Sequence, residues 1–335
     1  MRYDDIARQG AKRFSQFYVN SIIAFFTGPA DRNWGYFLEP VMLEHAPGYN
    51  SAAKRFDLGE SAFEMEFATV KYYSGRPGNY FSTKLGQFGF GGIDGYKAND
   101  RPVSTGRPLM FGQKINAFSQ DATQRGIDLG YTSGDNHFTV AYLNGLNSTG
   151  HGDEGRPINS PDWLFQYIRW LGHSGSALQL LYYTGKTPLD DAGTITDSFD
   201  RLMVLGNWRL PLGERNAFEL LAGYMNGSHH KPLMSGGVLT GTGGTFNVNS
   251  YFIEAQYVLN SDTVPYFRFD TLHSDESPYG SGTFPGNPAR NVRQYTLGVG
   301  HMLGQNIRTN LEWVGTRPSP GVNQDLVRMQ FWFMW

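Results

Sequence analysis

Apolar and polar side chains alternate one by one along most of the chain, and this period of two is the feature that most limits the possible folds. In one such segment Tyr251, Ile253 and Tyr257 fall on one side, while Glu254 and Gln256 fall on the other. This alternation is typical of a β-strand with one apolar face. The alternating segments are bounded by clusters of Gly, Asn, Asp and Ser, which favour turns. The sequence therefore predicts an all-β protein.

Short and long gaps alternate between these segments along the chain. The seven short gaps lie at 28–33, 74–79, 133–136, 172–175, 211–216, 260–263 and 304–306. The seven long gaps lie at about 48–60, 91–123, 146–160, 186–197, 229–245, 274–290 and 317–323. Short turns at one rim and long loops at the other indicate an antiparallel up-and-down β-barrel. A soluble propeller would instead repeat a blade motif about every 40–50 residues, and the sequence shows no such repeat.

These gaps divide the chain into fifteen strands, whereas bacterial single-chain barrels have an even number. We expect residues 1–10 to supply either a truncated first strand or a periplasmic stub, which gives about sixteen strands. Fourteen is the alternative if residues 14–27 do not form a strand. We expect one barrel domain over residues 1–335.

Composition excludes several other classes of protein. The longest apolar runs have five residues, whereas a membrane-spanning helix needs about 20. The chain has no cysteine, which excludes disulfides, thiolate metal sites and c-type haem attachment. The net charge of −2 gives no support to nucleic-acid binding.

The chain ends in an amphipathic strand, Met-Gln-Phe-Trp-Phe-Met-Trp at 329–335. Phe331, Phe333 and Trp335 fall on its apolar face. This ending resembles the C-terminal signature of Gram-negative outer-membrane porins. Four other segments are similar to porin strands: 33–43, 79–92, 137–147 and 265–272.

The resemblance to porins implies a transmembrane β-barrel in the outer membrane, surrounded by lipid and lipopolysaccharide. It implies that Phe331, Phe333 and Trp335 belong to the signal that the barrel-assembly machinery reads. It also implies either a homotrimer or, for barrels that sheathe a multihaem cytochrome, a cytochrome partner.

The two faces of each strand predict which side chains meet lipid and which line the lumen. A basic side chain at the bilayer midplane costs about 2–4 kcal/mol, so we expect the apolar face to meet lipid. The predicted lumen wall comprises Glu39, Glu64, Glu66, Lys84, Glu254, Arg268, Asp270, Arg308, Glu312 and Arg328. Because enclosing such a wall in a dry core carries a large desolvation cost, the interior is expected to be wet. Alternatively, neighbouring charges pair, for example Arg268 with Glu254 or Glu312.

The longest gap, 91–123, contains the apolar stretch 108–111, which a purely external loop would not need. Porins that resemble this chain often fold one long loop into the lumen. The resemblance therefore predicts a constriction formed by Arg101, Arg107, Lys114, Asp94 and Asp100. The alternative is an external cap or a contact with a partner.

Other motifs suggest no chemistry. His229 and His230 lie in the long gap 229–245, where we expect solvated side chains and no metal ion. No cofactor is implied. The sequence shows no ordered Ser-His-Asp set or carboxylate pair of the kind that catalysis requires, so we do not expect an enzyme.

Two functions remain. The first is a porin whose water-filled channel lets small hydrophilic solutes or ions diffuse. The alternative is a barrel scaffold that insulates a multihaem c-type cytochrome in an electron conduit across the outer membrane.

Overall fold

A computed structural model gives the fold of the chain. It describes residues 2–8, 14–18, 21–44, 48–50, 55–57, 64–89, 108–112, 124–144, 161–172, 175–188, 196–230, 234–235, 238–239, 244–275, 291–319, 321 and 323–333.

Nearly all the described residues belong to β-strands. In chain order these are β1 Arg2–Arg8, β2 Phe14–Tyr18, β3 Ser21–Ile23, β4 Phe26–Pro29, β5 Trp34–Glu44, β6 Gly48–Asn50, β7 Arg55–Asp57, β8 Glu64–Arg76, β9 Asn79–Phe88, β10 Gln124–Ser133, β11 Asn136–Leu143, β12 Asp162–Leu171, β13 Ser176–Pro188, β14 Thr196–Pro211, β15 Ala217–His230, β16 Met234–Ser235, β17 Val238–Leu239, β18 Thr245–Val258, β19 Thr263–Ser274, β20 Asn291–Met302, β21 Ile307–Ser319 and β22 Gln324–Phe333. A single helical turn, α1, spans Leu109–Gly112.

Eighteen of these strands form one antiparallel sheet, and the pairs β6–β7 and β16–β17 are separate hairpins. The segments β2, β3 and β4 succeed one another in the chain, and β2 pairs with β1 while β3 and β4 both pair with β5. Taken as one strand position, they give the described sheet about sixteen successive strands. This result confirms the predicted all-β, up-and-down antiparallel barrel of about sixteen strands.

Strand β1 joins the two ends of this strand order. It pairs with the last strand, from Arg2 opposite Gln330 to Arg8 opposite Gln324. It also pairs with β2, where Arg2 lies opposite Tyr18.

The short connections predicted from the sequence are tight turns at one rim. Gly78, in the β8–β9 turn, and Gly134, in the β10–β11 turn, have φ values of 76° and 57°. Glycine adopts this left-handed region without the steric cost that other residues meet. The two turns also touch, because the amide of Gly134 donates a hydrogen bond to the carbonyl oxygen of Gly78 at 2.7 Å.

The outward face of the sheet is apolar, as the alternation predicted. Its exposed large side chains include Leu129, Phe138, Tyr142, Trp163, Phe165, Tyr182, Leu202, Tyr224, Tyr251, Ile253, Phe267, Leu297 and Leu311. An exposed apolar surface that extends over so many strands is what a bilayer covers in a transmembrane barrel. No helix within the described residues has the length and apolar character to cross a membrane.

Candidate pore wall

The inward face of the sheet falls into three sectors, the first of which is apolar and completely covered. Its fully buried side chains come from β11 to β20 and include Leu143, Leu164, Leu181, Met203, Leu205, Met225, Phe252 and Leu272. Burying each such side chain contributes about 1.5–3 kcal/mol. We call this set the apolar sector.

Helix α1 packs against the apolar sector from inside the barrel. Leu109, Met110 and Phe111 are each no more than 2% exposed. The rings of Phe111 and Phe252 are 6.3 Å apart in an edge-on arrangement. The apolar stretch of the longest gap is therefore inside the barrel and narrows its interior.

The second sector is a network of buried charges, which we call the ion network. At its centre, Arg268 contacts Glu254 through Nη1 at 3.3 Å and Asp270 through Nε at 2.7 Å. All three side chains are at most 1% exposed. The second oxygen of Asp270, Oδ1, accepts a hydrogen bond from the amide of Leu109 at 3.3 Å. The ion network thus contacts the start of α1.

The ion network continues onto β21 and β22. Glu312 contacts Arg328 Nη1 through Oε1 at 3.0 Å and accepts a hydrogen bond from the Tyr266 hydroxyl at 2.6 Å. Asn310 Nδ2 donates to the same hydroxyl at 3.2 Å. Because the desolvation of buried charges offsets much of their mutual attraction, this network is weak evidence for stability. The ion network pairs the charges of neighbouring strands, and one hydrogen bond connects it to α1.

The third sector remains partly open to solvent, and we call it the open sector. Its inward side chains include Lys71, Tyr73, Tyr80, Ser82 and Lys84 of β8 and β9, none of which is buried. On the same face, farther from the short-turn rim, Thr69 and Phe88 are buried. Lys84 Nζ lies 3.4 Å from Asp128 of β10. In the described interior, side chains therefore cover the apolar sector but leave the open sector accessible to solvent.

The other residues predicted for the lumen wall lie in several places. Glu39, on β5, is partly exposed, and Glu64 and Glu66 belong to β8. The guanidinium of Arg308 lies 5.1 Å from the centre of the Trp332 ring.

The predicted constriction residues Arg101, Arg107, Lys114, Asp94 and Asp100 lie outside the described residues, so their position stays a prediction.

Two of the predicted assembly residues, Phe331 and Phe333, are at the end of the last strand. In β22, Phe331 lies opposite Thr309 and Phe333 lies opposite Ile307. Trp335 lies outside the described residues. The role of these residues in assembly stays a prediction.

The expectation that His229 is solvated was wrong. Strand β15 extends to His230, and His229 is fully buried, with Nδ1 against Asp197 and Nε2 against Arg201. Its ring stacks on Phe246 at 4.9 Å. Within the part of the chain that the structure describes, no group of three or more His, Cys, Asp or Glu side chains could hold a metal ion.

The sequence analysis also missed the apolar sector, although a signal was present. In the segments 178–183 and 202–205 apolar residues occur at both parities. Such runs indicate a strand that is buried on both faces, so these segments predict an inward apolar surface in addition to the lipid-facing one.

Solved structures with a similar fold are outer-membrane proteins. The anion-selective porin from Comamonas acidovorans has a TM-score of 0.63 and 14% identity, over 99% of this chain and 96% of that one. OmpF of Salmonella typhi, in complex with daunomycin, has a TM-score of 0.62 and 12% identity, over 99% and 95%. The trimer form of OmpT, an outer-membrane protein of Vibrio cholerae, has a TM-score of 0.58 and 10% identity, over 100% and 96%. The chain has the porin fold.

No protein-family model matches the sequence, and no curated protein sequence matches it either. The likeness to solved porins extends over whole chains while the identity stays at or below 14%. This combination is understandable because a barrel requires only a pattern of alternation and turns, which many different residues satisfy.

Proposed function

We propose that this chain is an outer-membrane porin whose barrel contains a water-filled channel for small hydrophilic solutes or ions. The observation that carries the proposal is the open sector, where Lys71, Tyr73 and Lys84 face inward and remain solvent-accessible. Sixteen strands is also the size at which β-barrels leave an aqueous channel. The apolar sector and α1 fill the opposite side, so solutes pass along the β8–β9 side.

The inward position of α1 supports the proposed constriction. Arg107 precedes Leu109 by two positions, and Lys114 follows Gly112 by two. Because a chain extends at most about 3.6 Å per residue, the Cα atoms of these two residues are tethered within about 7 Å of the ends of α1, which lies inside the barrel. We propose that Arg101, Arg107 and Lys114, with Asp94 and Asp100, determine ion preference there.

The described interior does not favour the alternative of a cytochrome sheath. A sheath needs a wide lumen that matches a protein surface, whereas α1 and the apolar sector already occupy part of the interior. The porin is therefore the function that we carry forward.

Reversal potentials in planar bilayers under a salt gradient test this function. Replacing Arg101, Arg107 and Lys114 by Gln should shift the reversal potential toward cation preference, because charges in confined water are poorly screened. The shift should shrink at 1 M salt, where the Debye length is about 3 Å. Lys186→Gln is the matched control, since Lys186 is an exposed cation at the long-loop end of β13.

Two outcomes would count against these proposals. An unchanged reversal potential in the triple variant would contradict the proposed role of the constriction residues, but it would not contradict the channel. A purified, folded barrel that conducts no ions would contradict the proposal of a channel.

The porin function also implies a membrane, an assembly route and an oligomeric state for the barrel. We propose that the barrel lies in the Gram-negative outer membrane with lipopolysaccharide around its long-loop rim, and that the barrel-assembly machinery inserts it. The fold is shared with a protein that is known in a trimer form, which supports a homotrimer. Native mass spectrometry of the detergent-extracted barrel would test this.

A further inference from the structure

At the short-turn rim, a cavity of about 250 Å³ lies between the β4–β5 turn and the β8–β9 turn. It is lined by Arg32 and Asn33 of the first turn, by Arg76 beside the second, and by Tyr73 and Tyr80. We call this cavity the rim recess. Both tyrosines share the inward parity of the open sector, because Tyr73 lies opposite Ser82, two positions from the Lys71–Lys84 pair. The rim recess therefore opens at the mouth of the lumen.

Hydrogen bonds fix the shape of the rim recess. The amide of Tyr73 donates to the carbonyl oxygen of Asn33 at 2.9 Å, and Nδ2 of Asn33 donates back to the carbonyl oxygen of Tyr73 at 2.6 Å. These bonds hold the first turn on the end of β8. Gly75 bends the strand there with a φ of 133°, and an added Cβ would lie only 2.5 Å from the Asn79 carbonyl oxygen. The backbone around the rim recess is thus held in place.

The rim recess has an excess of positive charge. Among the described residues, neither the Arg32 nor the Arg76 guanidinium has a hydrogen-bond or ion-pair partner. The nearest acid in sequence is Asp31, whose Oδ1 accepts a hydrogen bond from the backbone amide of Arg32 at 2.6 Å. Two guanidinium groups that share one cavity repel each other, so an anion between them would relieve that repulsion.

The positive charge continues inward from the rim recess. Lys71 and Lys84 lie directly opposite each other on β8 and β9, an arrangement that is destabilising for like charges. Asp128 of β10 lies 3.4 Å from Lys84. Cationic side chains therefore continue from the rim recess along the inner face of β8 and β9.

We propose that the rim recess binds the oxyanion of a dissolved solute, a phosphate or a carboxylate, between Arg32 and Arg76. Guanidinium groups match the planar, paired oxygens of these anions and form short charge-assisted hydrogen bonds. The rings of Tyr73 and Tyr80 pack edge-on at 5.9 Å and form one wall of the cavity. This inference rests on the proposed channel only in that the recess stands at its mouth.

The test compares phosphate inhibition of the chloride current in planar bilayers of neutral phosphatidylcholine. Phosphate added on the short-turn side should reduce the current of the unaltered barrel at lower concentration than phosphate added on the long-loop side. In the Arg32→Gln/Arg76→Gln variant, the half-inhibiting concentration on the short-turn side should rise at least tenfold. Arg215→Gln is the matched control, because Arg215 lies in another turn of the same rim and bonds the carbonyl oxygen of Asn260.

The experiments distinguish failure of this inference from failure of the proposed channel. If phosphate inhibits the double variant as strongly as the unaltered barrel, and the chloride conductance is normal, the proposed anion site in the rim recess is wrong and the channel is not contradicted. If the barrel does not conduct, calorimetric titration of the detergent-solubilised barrel with phosphate still tests the recess, and unchanged heats in the double variant would overturn it. An effect that appears only with phosphatidylglycerol in the bilayer would overturn the assignment to a dissolved solute.

Discussion

Replacing Phe111 by Ala should release α1 from the wall of the barrel. Phe111 is 2% exposed and packs edge-on against Phe252, and a buried Phe→Ala substitution costs about 3–5 kcal/mol. The other buried side chains of α1, Leu109 and Met110, contribute about 1.5–3 kcal/mol each. The substitution thus removes a third or more of the free energy that these three apolar side chains contribute to docking. Since each 1.4 kcal/mol is a factor of ten, a loss of about 3 kcal/mol raises the undocked fraction roughly 100-fold.

Cysteine labelling measures this release directly, because the chain has no cysteine of its own. A Leu109→Cys reporter is buried when α1 is docked, so a water-soluble maleimide reacts only with the undocked form. Its labelling rate should rise about 100-fold in the Phe111→Ala background, as expected when opening is fast relative to reaction. Phe267→Ala is the matched control, since Phe267 is 44% exposed on the outward face. A rise of less than twofold would show that Phe111 does not hold α1, and the reasoning from burial would be wrong.

Three further predictions follow from the two faces of the sheet and its last strand. Asp270→Asn should lower the free energy of unfolding in lipid vesicles by about 3 kcal/mol, because Arg268 loses a buried partner; Glu214→Gln, at an exposed acid in the β14–β15 turn, should change it by less than about 0.5 kcal/mol. Ile253→Arg should lower the same quantity by about 2–4 kcal/mol, because it exposes a cation to lipid; equal stability would contradict the outward assignment of this position. Removing residues 333–335 should reduce the amount of heat-modifiable barrel in membranes, as seen by gel shift, far more than the conductance of the barrels that do insert.

The sheet was predictable because its rules are local. A barrel strand in a bilayer must place apolar side chains outward at every second position, and each hairpin turn needs residues such as Gly78 and Gly134 that tolerate left-handed backbone. Both requirements are visible in neighbouring residues. The strand count and the outward positions of Tyr251, Ile253 and Phe267 could therefore be predicted without coordinates.

The interior was less predictable because it depends on residues far apart in the chain. The alternation placed Arg268 and Glu254 inward and left Glu254 and Glu312 as two possible partners of Arg268. The strand register shows that Glu254 is the residue directly opposite. The sequence analysis also predicted too short a strand β15. Two successive polar residues, His229 and His230, indicate a loop when composition is the only guide. What buries His229 is Asp197 and Phe246, on the two neighbouring strands.

The sequence by itself determined the class of the protein: an antiparallel barrel with an apolar exterior, short turns at one rim and long loops at the other. That pattern repeats every second residue and survives at very low sequence identity. Only the tertiary structure decided how the interior is divided, with α1 against the apolar sector, Asp270 at the start of α1 and an open sector around Lys71 and Lys84. The physical reason is that the lipid outside is uniform, so one residue-by-residue rule describes the outer face. Each inward side chain meets whichever residues the strand register and the inserted loop bring to it.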